Sequence, residues 1–164
     1  MTDHDHDQQP NSHMCFVCGL KNVNGLRVKF FNDGAKACRA EVTIDERFQG
    51  FPGIAHGGIV ASLLDEILGR AGLSGNPDRL MYTAKLEVKY RQQVPLNQPL
   101  TLKGRIDKDR GRIVTASGEL YDADGKALAE AVGTLMELPA EVLANIDRDK
   151  VGWQVMHDHD HDGA

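Results

Sequence analysis

The sequence predicts an α+β domain in which a curved antiparallel β-sheet wraps around one long central helix. Three observations carry this expectation. One stretch, about 56–72, repeats apolar residues at helical spacing over several turns. Other stretches alternate apolar with polar residues, the period of a half-buried strand. The last four of these are joined by short turns, so they pair as antiparallel neighbours.

In chain order, Leu26, Val28 and Phe30 alternate with Arg27 and Lys29, and Cys38, Ala40, Val42 and Ile44 with Arg39, Glu41 and Thr43. These form the first two strands. A Gly/Pro-rich loop, Gln49 to Ala55, feeds the helix, and Ser74-Gly75-Asn76-Pro77 ends it. Ala84, Leu86, Val88 and Tyr90 alternate with Lys85, Glu87, Lys89 and Arg91 in the third strand; Leu100, Leu102, Gly104 and Ile106 mark the fourth. Asp109-Arg110-Gly111 turns into a run from Arg112 to Tyr121, and Asp122-Ala123-Asp124-Gly125 into the last strand, about 126–138. Pro139 stops it, and 140–150 suits a short helix.

The helix is the informative element. At ~100° per residue, Ile59, Val60, Leu63, Leu64, Ile67, Leu68 and Ala71 make one broad apolar stripe. Gly58, Ala61, Ser62, Asp65 and Gly69 fall opposite. A solvated face would carry Lys, Glu and Arg; small residues suit close approach of a second backbone. Asp65 is thus expected in an interface. Since one sheet cannot wrap the whole helix, burial alone anticipates a two-fold dimer.

The 164 residues suffice for one domain with its own core. The expected division is a disordered polar tail at 1–13, a folded domain at 14–139, and at 140–164 a C-terminal extension with an Asp/His-rich tail, fraying after 150. The net charge of −5 comes from the ends: without Asp3, Asp5, Asp7, Asp158, Asp160 and Asp162, 18 acids face 19 Lys plus Arg. No basic block signals nucleic acid, no run approaches the ~20 apolar residues of a membrane span, and the start does not read as a signal peptide. A cytoplasmic protein is expected. The Asp-His runs at 3–7 and 157–162 suit weak, adventitious metal binding. Cys15 and Cys18 form a single Cys-x-x-Cys; zinc needs three or four ligands, so a site would have to recruit another residue. No metal centre and no cofactor are expected, and free thiols near the site are the default.

His56-Gly57-Gly58 followed by Asp65 resembles the hotdog-fold acyl-coenzyme A thioesterases, most closely the phenylacetate-degradation type subgroup. The approach Gln49-Gly50-Phe51-Pro52-Gly53-Ile54-Ala55, the leader Cys15 to Leu26 and the run Thr83 to Arg91 fit the same subgroup. The resemblance covers about 15–138. It implies a hotdog fold and hydrolysis of acyl-coenzyme A thioesters by a homodimer or a dimer of dimers. Asp65 would be general base or nucleophile, and the Gly57 N–H would polarise the thioester oxygen. His56 would be a positioning group beside it, and Thr83 would help to place the attacking water. Gly58, Gln49 and Glu66 are candidate substrate-binding residues. Some relatives have Asn six residues before the histidine; here that position is Gly50, and Gln49 beside it is the substitute. Glu66 points ~100° from Asp65 and is expected to pair with Arg70.

Asp65 lies ~12 Å along the helix from Gly57, too far for both to touch one carbonyl. A two-fold dimer would bring Asp65 of one subunit near Gly57 of the other, giving composite sites. Two other functions fit the fold: a non-catalytic acyl-coenzyme A sensor, which Asp65 argues against, and a hydratase or dehydratase. The latter would want His and Asp close together at the helix start.

Overall fold

The computed structural model describes residues 7–156. Its main strands are β1 (Phe31–Asn32), β2 (Ala37–Thr43), β5 (Met81–Tyr90), β6 (Pro99–Asp109), β7 (Ile113–Tyr121) and β8 (Ala127–Glu137). They form one antiparallel sheet in the order β1-β2-β6-β7-β8-β5. A small hairpin, β3 (Gln49–Phe51) with β4 (Ile54–Ala55), leads into the central helix α1 (Gly57–Ala71). Two short helices, α2 (Ala140–Ala144) and α3 (Arg148–Val151), follow β8. This is the expected hotdog arrangement, a sheet with one long helix on its face. No helix among the described residues is long and apolar enough to cross a membrane.

Helix and sheet come close because the central strands carry glycine under α1. A Cβ on Gly104 would lie 2.7 Å from the Ile67 carbonyl oxygen, one on Gly118 3.0 Å from Ile67 Cγ2, and one on Gly133 2.8 Å from Leu68 Cδ1. Gly104 pairs with Gly118 across β6 and β7, and Ala116 with Gly133 across β7 and β8. The small residues thus form a band across three strands. Into it press the fully buried Ile67 and Leu68, each stabilising the fold by roughly 1.5–3 kcal/mol of burial.

Three expectations need correction. Regular pairing of the first strand covers only Phe31–Asn32. Arg27 sits at φ 53, which breaks the extended run; the Leu26 and Val28 N–H groups instead donate to the carbonyls of Phe16 and Val17. The tail is not outside the core from residue 8 on. Gln9, Asn11 and Ser12 are buried, and Asn11 Nδ2 donates to the carbonyls of Cys18 (2.8 Å) and Val28 (2.9 Å). Polar side chains are buried here because they pair with loop carbonyls that no strand partner satisfies. Nor does the C-terminal segment fray before Met156. Asn11 bridges to Gln154, and Trp153 Nε1 donates to the Pro77 carbonyl at 3.1 Å. The leader and the C-terminal extension are therefore strapped to each other and to the domain. The Asp-His runs lie outside the described residues, apart from Asp7.

Candidate active site

His56 is the N-cap of α1. Its backbone is extended, and its Nδ1 accepts the Gly58 N–H at 2.9 Å. An acceptor Nδ1 places the ring proton on Nε2, so the imidazole is held by its capping bond. Gly57 begins the helix, and its N–H is one of the first-turn donors with no intrahelical acceptor. Tyr90 Oη donates to the Gly57 carbonyl at 2.7 Å, fixing that turn against β5. Sequence reasoning set Tyr90 only among the alternating positions of its strand and missed it as a site residue. The signal that could have found it is its place on the helix-facing set of β5. Gly57, Tyr90, Arg91 and Gln92 line one open groove. Gln49 lies beside this helix start through the β3–β4 pair, opposite Ala55. At Gly50 a Cβ would come within 3.1 Å of His56 Cα, so the strand approaches the cap closely where some relatives carry Asn.

Two turns further on, Thr83 Oγ1 donates to Asp65 Oδ1 at 2.6 Å. A β-bulge makes this contact. In β5, Thr83 pairs with Leu135 and Lys85 with Thr134, so Ala84 is the extra residue. The insertion reverses the inward set: Met81 and Thr83 face α1 before the bulge, Leu86, Val88 and Tyr90 after it. Strict alternation would have sent Thr83 outward with Lys85 and Glu87. Re-aiming a side chain is a recurrent use of bulges.

Asp65 and Thr83 border a cavity of about 350 Å³. Its apolar wall includes Leu73, Leu80, Met81, Leu135, Ile146 and Trp153. Ile146 and Trp153 come from the C-terminal extension, which the sequence pattern sets outside the domain. Gly69, on the small-residue face of α1, lines the same cavity, and a Cβ there would touch nothing within 4 Å among the described residues.

Glu66 turns the other way. Its Oε1 accepts from Arg70 Nε at 2.9 Å, the expected pair. Arg70, 2% exposed, donates Nη1 to the Pro10 carbonyl and stacks over Phe30 and Trp153. Cys15 Sγ lies 3.8 Å from Glu66 Oε2. The two thiols shift each other in opposite directions: Cys15 and the nearby Arg70 cation hold the Cys18 thiol down, while Cys18 and burial push the Cys15 thiol up. Burial raises Glu66 as well. All three cysteines are free; Cys38 is fully buried, and desolvation pushes its thiol up to about 12.

The structure thus joins Asp65 with Thr83, His56 with Gly58, and Glu66 with Arg70. It does not join Gly57 with Asp65, which open onto different cavities.

The family model described as "Thioesterase superfamily" matches residues 52–129, from the β3–β4 turn into β8. The match and the fold agree, and both make the chain similar to the thioesterase superfamily. Among its relatives, the acyl-coenzyme A thioesterase THEM4 of Bos taurus is 33% identical over 94 residues, 57% of this chain and 38% of that protein. The chain therefore spans well under half of that relative. The solved structure of RHA08564, a thioesterase superfamily protein, is 34% identical with TM-score 0.69, covering 76% of this chain and 60% of that one. The E. coli PaaI protein from the phenylacetic acid degradation operon shares the fold at 14% identity, with TM-score 0.63 over 70% of this chain and 81% of that one.

Proposed function

We propose that the protein hydrolyses acyl-coenzyme A thioesters to the free acid and coenzyme A, at sites shared between two copies of the chain. The observation that carries this is Asp65, oriented by Thr83 at the mouth of an apolar cavity. An acyl group occupies the cavity and brings its thioester carbonyl to the carboxylate. Asp65 accepts a proton from a water that attacks this carbon, the C–S bond breaks, and Asp65 passes that proton to the leaving thiolate; in the other route Asp65 attacks the carbon itself and expels the thiolate, and a water then hydrolyses the mixed anhydride to the free acid, its proton going to the thiolate. Thr83 engages only Oδ1 among the described residues, so Oδ2 is the atom offered to water or substrate.

The developing oxyanion needs a fixed donor. Gly57 N–H stands at the positive end of the helix dipole, but ~12 Å from its own Asp65. In a two-fold dimer the Gly57 of the second copy supplies that donor. The edge strand β5 supports such a dimer: it has ten residues and pairs only with β8 among the described residues. A long edge strand left unpaired is ready to pair with another chain. The commitment of His56 Nδ1 to the cap favours hydrolysis over hydratase chemistry at the helix start.

The test is a panel of short, medium, long and aryl acyl-coenzyme A esters, with free thiol as the readout and Asp65→Asn alongside. Thiol release that falls at least about 10²-fold in the variant, with the oligomer unchanged in sedimentation, is the expected result. Turnover unaffected by Asp65→Asn would overturn the assignment. Binding of every ester without release would favour the sensor reading.

A further inference from the structure

The Cys-x-x-Cys pair lacked a third ligand in the sequence, and the fold brings one. The sulfurs of Cys15 and Cys18 and a carboxylate oxygen of Glu66 lie within 4.8 Å of one another. We propose that these three side chains bind one zinc ion, with the fourth position open to the cavity that Asp65 and Thr83 border.

The spacing fits. A tetrahedral zinc with Zn–S near 2.3 Å and Zn–O near 2.0 Å sets sulfur and oxygen about 3.5 Å apart, against the 3.8 Å between Cys15 Sγ and Glu66 Oε2. The carboxylate is already oriented for it: Arg70 Nε holds Oε1, leaving Oε2 toward the thiols. Ligating carboxylates are commonly fixed by such an outer bond. The Cys-x-x-Cys turn is tight and needs glycine after it, because a Cβ on Gly19 would clash with the Cys15 carbonyl oxygen. Ser12 Oγ braces both cysteines, accepting from Cys15 N at 3.2 Å and lying 3.5 Å from Cys18 Sγ.

The charges also balance. Two thiolates and one carboxylate offset a divalent ion together with the Arg70 guanidinium. A buried site with no net charge avoids most of the penalty of desolvating an ion. Binding releases the thiol protons still present, and the ion ties the leader to α1. Cys15, Cys18 and Glu66 all line the cavity, so a water from it completes the tetrahedron.

Cobalt in place of zinc tests this in the full chain under reducing conditions. The Asp-His runs can hold cobalt, but they cannot give a thiolate-to-cobalt charge-transfer band. The expected result is an intense near-ultraviolet band that saturates at one cobalt per chain and is bleached by equimolar zinc. It is lost in Cys15→Ser and Cys18→Ser, and it needs about 10-fold more cobalt or greater in Glu66→Gln. Cys38→Ser keeps it. Cys15 is only half-buried, so Cys15→Ser remains informative if Cys18→Ser misfolds. Cobalt bound without a charge-transfer band, or a band that survives Cys15→Ser, would overturn the proposal. So would a Cys15–Cys18 disulfide that forms in place of metal binding when reductant is withdrawn with zinc present. None of these readouts depends on thioester turnover.

Discussion

The start and the middle of α1 solve the same problem, polar groups on a mostly apolar helix, in opposite ways. At the start, His56, Gly57 and Gly58 are exposed, and their contacts are short in sequence apart from Tyr90. In the middle, Asp65 and Glu66 are adjacent, and their side-chain partners besides Arg70 come from other elements: Thr83 from β5 and Cys15 from the leader. The start is a donor array that works because it is open. The middle is two carboxylates that the fold separates by role, one turned to a cavity mouth and one committed to a buried cation.

The largest expected difference is between those two neighbours. Asp65→Asn removes the base while keeping the shape and the bond from Thr83, so turnover drops at least about 10²-fold with little change in melting temperature. Glu66→Ala does the reverse. It strands the Arg70 guanidinium, which is 2% exposed, without its carboxylate. Removing one partner of a buried pair costs about 3–5 kcal/mol; Glu66 is itself 22% exposed, so the lower end is expected, read from urea unfolding. Replacing Arg70 and Glu66 together by Met and Leu should recover most of that loss. If Asp65→Asn were the destabilising change and Glu66→Ala the inactivating one, the division of roles would be reversed.

This contrast also explains what could be read from the sequence. The helix bounds and the hairpin turns follow from local patterns, since helix periodicity and turn chemistry act over a few residues. The Glu66–Arg70 pair is an i,i+4 pattern and was equally legible. Thr83 was matched only by resemblance, because the bulge at Ala84 changes which face it takes and no alternation pattern marks a bulge. The N-terminal tail reads as a polar end because 8–13 hold no large apolar side chain, and the C-terminal extension reads as a separate piece because its apolar residues follow Pro139 without a long helical or strand period. Their order comes from pairing with each other, as between Asn11 and Gln154, across most of the chain. The cavity wall at Ile146 and Trp153 was hidden for the same reason.

Thr83 gives the next smaller effect, and it sharpens the account of the middle. Thr83→Ala frees the Asp65 carboxylate to rotate but leaves the base in place. A fall in kcat of roughly 10-fold is expected, equivalent to about 1.4 kcal/mol, with KM nearly unchanged. Thr83→Ser restores the hydroxyl and should recover most of the rate. Failure of the serine variant to do so would mean that the threonine methyl, and so packing at the bulge, matters more than the bond to Asp65.

Tyr90→Phe should have the smallest effect, and it addresses the start of the helix. It deletes one hydrogen bond to the Gly57 carbonyl. Tyr90 is 53% exposed, so water can replace the lost donor. A stability change of no more than about 0.5–1.5 kcal/mol follows. Turnover is the more telling readout. The carbonyl that Tyr90 holds belongs to the same residue as the N–H proposed to polarise the thioester, so loosening that turn should lower kcat while Asp65 and Thr83 stay as they are. Combined with Thr83→Ala, the two losses should add, because the sites lie at opposite ends of the reacting group and share no contact. Strong non-additivity in the double variant would show that the start and the middle of α1 move as one unit.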